Sequence, residues 1–172
     1  FNELCDEKAG KSAGIAVSPV LNEGQLIAKV TVKAAKTAAY RVGAFLLEDG
    51  IYGKQTSATA DWMHNHDNVI RYIDASYYVG GTETFYGHSL GEIEAGKTAD
   101  YAFAWLLDDI WKAGNTNAGR NGCEWEPFVE EKLHMAVFVC TTDVNEKGEE
   151  FYRVVNAIDC PINAKTPFEY AE

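Results

Sequence analysis

Two histidines stand two residues apart in His64-Asn65-His66-Asp67. At i and i+2 of an extended segment, their side chains point the same way. With Asp67 they make a candidate half-site for a divalent metal, because imidazole and carboxylate suit zinc and its neighbours. A further ligand, His88 or His134, would have to come from elsewhere, and a complete set would give a metal-dependent hydrolase. The simpler reading is a polar loop whose imidazoles hydrogen-bond backbone groups, with Arg71 satisfying buried carbonyls. The letters His-Asn-His also name a nuclease motif. In that motif, however, the residues lie far apart in sequence and sit in a basic domain.

Asp108-Asp109 would suit a pair of glycosidase carboxylates, but adjacent acids point in different directions on either kind of element. Asp143, Asn145 and Glu149 match no spaced calcium loop. No nucleophile elbow, P-loop or dinucleotide fingerprint occurs. The sequence therefore assigns no catalytic residue, no metal site and no cofactor.

Aromatic residues offer a second chemistry. Trp111 and Trp125 lie in a Gly/Asn-rich stretch, and Trp62 opens the histidine cluster. A tryptophan face covers the apolar face of a sugar while Asn, Asp and Arg bind hydroxyls. Trp62, His64, His66, Arg71, Trp111 and Trp125 are thus the candidate ligand-binding residues. Trp105, on an alternating apolar segment, reads as core.

The elements that must position these residues are strands. In a chain of 172 residues, 47% hydrophobic and 24% charged, one domain with a real core is expected. The net charge of −11 argues against nucleic acid and anionic membrane as partners. No apolar run approaches the roughly 18 residues of a membrane span, so this segment is not expected to insert in one.

Residues 1–12 read as a linker or junction and residues 13–172 as a single domain. Segment 13–20 is a short strand ended by Pro19, which suits an edge. Leu26 to Lys33 alternates, with Ala28, Val30 and Val32 on one face. Tyr40 to Leu47 is apolar on both faces and is placed centrally, ended by Glu48-Asp49-Gly50. Asp61 caps a short helical turn through His64. Val69 to Val79 forms one or two strands, followed by a long connection to Gly91. Glu92 to Ala95 is strand-like, and Tyr101 to Leu107 is a buried strand. Residues 108–131 are expected to be the longest irregular region. Seven to nine strands with little helix predict an all-β antiparallel sandwich, immunoglobulin-like or jelly-roll.

The closing strands meet through Asn145-Glu146-Lys147-Gly148, a hairpin signal. Centred between Glu146 and Lys147, the hairpin sets Cys140 opposite Arg153 and Cys160 opposite Leu133. The two sulfurs then lie roughly 23 Å apart along the ladder, beyond disulfide reach. Cys123–Cys160 is the preferred bridge if one forms, with Cys5–Cys160 next.

The run YRVGAFLLEDGIYGKQ followed by WMHNHDNVIR resembles the Omp28-related family of Bacteroidetes envelope lipoproteins. There a VGxxLLEDGI-like phrase precedes an HNHVLR-like phrase; here two residues are inserted before Val69-Ile70-Arg71. The runs GEIEAGKTADYAFAW and MAVFVCTTDVNEKGEEFYRVVNAIDC resemble that family's closing strands, so the likeness covers about residues 13–160. It implies export and a lipid anchor upstream, its members often carry a thioredoxin-like domain before this one, and it implies no particular enzyme activity for the β-domain. The reading that follows is a non-enzymatic binding or assembly domain of a surface-exposed or secreted envelope lipoprotein. Its partner would be another envelope protein or a glycan, and its oligomeric state is open. A carbohydrate-binding module built on the loop tryptophans is the alternative, and the metal-dependent hydrolase comes third.

Overall fold

The computed structural model describes residues 13–75, 77–79, 82–119 and 124–168. The strands are β1 (Ala13–Asn22), β2 (Gln25–Ala34), β3 (Ala38–Glu48), β4 (Ile51–Tyr52), β5 (Asn65–His66) and β6 (Val69–Asp74). They continue as β7 (Tyr77–Val79), β8 (Thr82–Thr84), β9 (His88–Ile93) and β10 (Thr98–Leu106). Helix α1 (Leu107–Gly119) precedes the closing hairpin of β11 (Leu133–Val144) and β12 (Glu150–Pro161).

A three-stranded sheet, β1-β2-β10, faces a five-stranded one in which β3 lies beside β11, β11 beside β12, and both β6 and β9 beside β3. All described pairings are antiparallel, as a sandwich requires. Alternation builds the core. Leu26, Ala28, Val30 and Val32 of β2 and Phe103 and Trp105 of β10 meet Tyr40, Val42, Ala44 and Leu46 of β3 and Met135, Val137 and Val139 of β11. Each large side chain so enclosed contributes about 1.5–3 kcal/mol.

β3 is apolar on its other face too, for a separate reason. Phe45, Ala75, Phe138 and Cys140 form a second small cluster on the outside of the five-stranded sheet. Gly43 sits beneath it, where a Cβ would come 2.7 Å from that of Ala75.

β6 pairs with Ala44–Glu48 and β9 with Ala38–Val42, so the two lie end to end along one side of β3. Two excursions leave this composite strand. Residues 49–68 join β3 to β6, and the segment holding β7 and β8 leaves at Ala75 and returns at Gly87, whose N–H donates to the Ala75 carbonyl at 2.7 Å. The long connection expected between Val79 and Gly91 therefore contains β8, the second strand of a hairpin with β7, and most of β9.

Three sequence expectations are corrected. Residues 107–119 are helical rather than irregular. Asp108 and Asp109 occupy the first turn, where carboxylates complement the helix dipole, and Asp108 pairs with Lys112 at i+4. The β10 strand is also not buried on both faces, since Ala102, Ala104 and Leu106 point to solvent.

The closing hairpin, finally, turns about Lys147, with Asn145 N–H donating to the Glu149 carbonyl at 3.0 Å. A bulge beside Val139 and Cys140 shifts the register again. Cys140 lies opposite Val154 and Cys160 opposite Met135, and both thiols are free and buried. Cys140 belongs to the outer cluster and Cys160 to the core, so the sheet separates them. Cys5 and Cys123, the expected partners of Cys160, lie outside the described residues.

Candidate functional site

Arg71 is the residue around which the candidate site is built. In the β3–β6 ladder Leu46 pairs with Tyr72 and Leu47 with Ile70, leaving Arg71 as the extra residue of a bulge. A bulge re-aims its side chain, and here it carries the guanidinium inward onto Glu48, itself 1% exposed. Glu48 uses its other oxygen to accept the Val129 N–H at 2.9 Å, and Arg71 donates to the Glu126 carbonyl at 2.7 Å. The guanidinium also packs on the rings of Trp125 and Phe128, at 4.7 and 4.6 Å from their centroids. One buried ion pair thus fastens residues 125–129 to the sheet. Burial pushes the Arg71 guanidinium below its ordinary range, and the Glu48 charge opposes that shift.

Trp125 packs against α1 as well. A Cβ on Gly114 would come 2.1 Å from its ring, so the glycine inside the helix is what admits the indole. Trp111 donates its Nε1–H to the Trp125 carbonyl at 3.1 Å, and Asn115 accepts the Trp125 N–H at 3.1 Å. The structure therefore brings together Arg71, Trp111 and Trp125 from the sequence-derived set. The ring of Trp125 is committed to Gly114 and Arg71.

An open groove of about 540 Å³ lies between β6 and α1. Ile70, Ile73, Ile110 and Ala113 supply its apolar lining, with Trp125 and Arg71 at its floor. Ile70 is 51% exposed. Sequence reading missed these aliphatic residues, because the groove exists only where a helix unrecognised in the sequence crosses an edge strand. A second hollow, of about 340 Å³, is lined by Trp111 with Asp108, Phe128 and Glu130.

Trp62, His64 and His66 stay within the 49–68 excursion. His64 ends a 3-10 turn (Asp61–His64) rather than extending a strand, so the two imidazoles do not follow strand alternation. Asp61 lies in the first turn; Ala60 is the N-cap and makes no side-chain cap bond. His64 Nδ1 accepts the Gln55 N–H at 3.2 Å, and His66 Nε2–H donates to the Gly53 carbonyl at 3.1 Å. Those two nitrogens are thereby occupied by backbone. Asp67 accepts the Gly50 N–H, and Asp49 accepts the Asn68 N–H across the base of the excursion. Trp62 is 70% exposed.

The more distant histidines are engaged elsewhere. His88 meets Asp74 at 2.6 Å, whose other oxygen accepts the Trp105 indole N–H at 2.6 Å. His134 lies between Asp159 at 2.6 Å and Asp49 at 3.3 Å. Among the described residues, no group of three or more His, Cys, Asp or Glu side chains is arranged to hold a metal ion. Asp143 pairs with Arg153, and Asn145 bonds Glu149 within the hairpin turn. No helix among the described residues is long and apolar enough to cross a membrane.

No family model matches the chain, and no curated protein does. Among solved structures, the fold is similar to that of HBP35 of Porphyromonas gingivalis, with a TM-score of 0.56 and 14% identity over 88% of this chain. The chain spans 41% of that protein, and at this identity the likeness speaks for the fold alone.

Proposed function

We propose that this chain is a non-enzymatic binding or assembly domain of an exported bacterial envelope protein, of the Omp28-related kind. Its partner surface is the groove between β6 and α1. The observation that carries the reading is the exposure of Ile70 and Ile73 along an edge strand, opposite Ile110 and Ala113. Aliphatic side chains left open in a groove suit an apolar segment of another protein. The LEDGI and HNHDNVIR phrases support the family, and the fold neighbour comes from a bacterium of the same group, the Bacteroidetes.

The test is retention of envelope proteins on the immobilised domain, comparing the parent with Ile73→Lys. Loss of a retained protein in a variant that melts like the parent supports the groove. Equal retention by both would remove the groove from the account.

A second reading, carbohydrate binding, is favoured by one observation. Trp111 lines a hollow that also presents the carboxylates of Asp108 and Glu130, a combination suited to a sugar ring and its hydroxyls. A glycan-selective thermal shift would support it.

A further inference from the structure

The edges of the two sheets are not treated alike. β1 contains Pro19, and its outer side is bonded at Val17 by Thr166 through two backbone hydrogen bonds of 2.9 Å. β12 carries a bulge, ends in Pro161, and is tied to Ala13 by Asn156. The edge made by β6 and β9 has a bulge in each part and is broken by an excursion. Such devices prevent unwanted strand pairing. Among the described residues, β10 carries none of them. It is a terminal strand of its sheet, runs nine residues in unbroken register with β2, and holds no proline and a single charge, Asp100.

The polar groups on this edge can be placed. Lys97 accepts from the Ala34 N–H, and Leu107 donates to the Gly24 carbonyl, extending the β2–β10 register by one residue at each end. Lys97 and Leu107 therefore turn their backbone groups toward β2. With a period of two, Thr98, Asp100, Ala102, Ala104 and Leu106 turn theirs to the open edge. These same residues point their side chains outward from the sandwich and are exposed.

We propose that β10 pairs with β10 of a second copy of this chain, antiparallel about a two-fold axis at Ala102. In that register Ala102 faces its own counterpart and the two exchange both backbone bonds. Asp100 faces Ala104 of the other copy, and Thr98 faces Leu106. The single charge on the strand thus meets a methyl group and never its like, and the central positions are small enough for close approach. An edge of the opposite pattern, with Asp at the axis, would repel itself. The pairing joins two three-stranded sheets into one continuous sheet, the isologous arrangement of a two-fold dimer.

Sedimentation of the full chain across a wide concentration range tests the pairing, with far-UV spectra and melting midpoints as fold controls. The parent sediments as a dimer at high concentration. Ala102→Lys sets two ammonium groups face to face and weakens dimerisation at least tenfold, about 1.4 kcal/mol. Ala104→Lys places its ammonium opposite Asp100 and keeps the dimer. Ala102→Cys cross-links on oxidation, because directly paired Cα atoms about 5.5 Å apart are within disulfide reach. Thr98→Cys does not link to itself. The cysteine pair decides the matter even where a lysine variant fails to fold. A parent that is monomeric throughout, equal cross-linking at both cysteine positions, or dissociation by Ala104→Lys as by Ala102→Lys would overturn the proposal.

Discussion

Glu48 and Arg71, 23 residues apart in sequence, form an ion pair whose side chains are 1% and 5% exposed. They close a ladder of contacts between the two phrases that stand out in the sequence. Asp49 holds Asn68, Gly50 is held by Asp67, and Ile51 and Tyr52 pair with His66 and Asn65. The phrase that suggested a metal or ligand site is thus the partner of the turn that ends β3, and the polar residues of the two brace the exit from β3 against the entry to β6.

Removing one member of a buried pair strands the other charge. Glu48→Gln or Arg71→Met is expected to cost about 3–5 kcal/mol in urea unfolding. The double replacement Glu48→Leu/Arg71→Met recovers part of that loss, because it leaves no buried charge. Each single variant also loosens residues 125–129, which a changed Trp125 fluorescence would report.

Gly114→Ala reverses an ordinary rule. In a helix interior alanine is favoured over glycine by about 1 kcal/mol. Here the added methyl meets the Trp125 ring, so the substitution is expected to destabilise by about 1–3 kcal/mol. Adding Trp125→Leu should relieve the clash, and a thermodynamic cycle over the four proteins measures the coupling.

Where strand alternation was strong, the sequence was a good guide. Tyr40 to Leu47 is the central strand because both of its faces are covered, and Pro19 does mark an edge. Helix α1 was illegible because Gly114, Asn115 and Asn117 read as loop residues. The physical reason for Gly114, an indole packed on the helix backbone, comes from a tryptophan eleven residues further on. Bulges at Arg71 and beside Cys140 escaped for a similar reason, since an extra residue leaves no mark on an apolar pattern. The sequence suggests that Arg71 satisfies carbonyls, and it does bond Glu126, but nothing in the sequence distinguishes its buried partner Glu48 from an ordinary turn acid.

Burial pushes the Cys140 thiol up to about 11 from an ordinary value near 9, against the opposing pull of Arg41. The folded state therefore holds a proton that the unfolded chain releases in this interval. This contribution to stability is complete below about pH 9 and is lost as the pH rises toward 11. Tyr40, Tyr72 and Tyr101, also raised by burial, act in the same direction. Unfolding free energies measured across that interval should fall, and less steeply in Cys140→Ala. At neutral pH a thiol reagent should leave Cys140 unmodified until the protein unfolds.

Trp111→Ala separates the two binding readings. If the hollow beside Asp108 and Glu130 takes sugars, the variant loses a glycan-selective thermal shift while retaining envelope-protein binding. If the β6–α1 groove is the sole binding surface, no glycan shifts the parent at all.

The most direct measurement is thermal unfolding of EDTA-stripped protein with and without divalent metals, for the parent, His64→Ala, His66→Ala and Glu48→Gln. A metal bound only by the folded state at one hundred times its dissociation constant would raise stability by about 2.7 kcal/mol, a readable shift. A bracing role for the HNHDNVIR phrase predicts no metal response in any of the four and a large loss of stability in Glu48→Gln. A metal-induced rise in the parent that disappears in His64→Ala or His66→Ala would contradict it and return the phrase to metal chemistry.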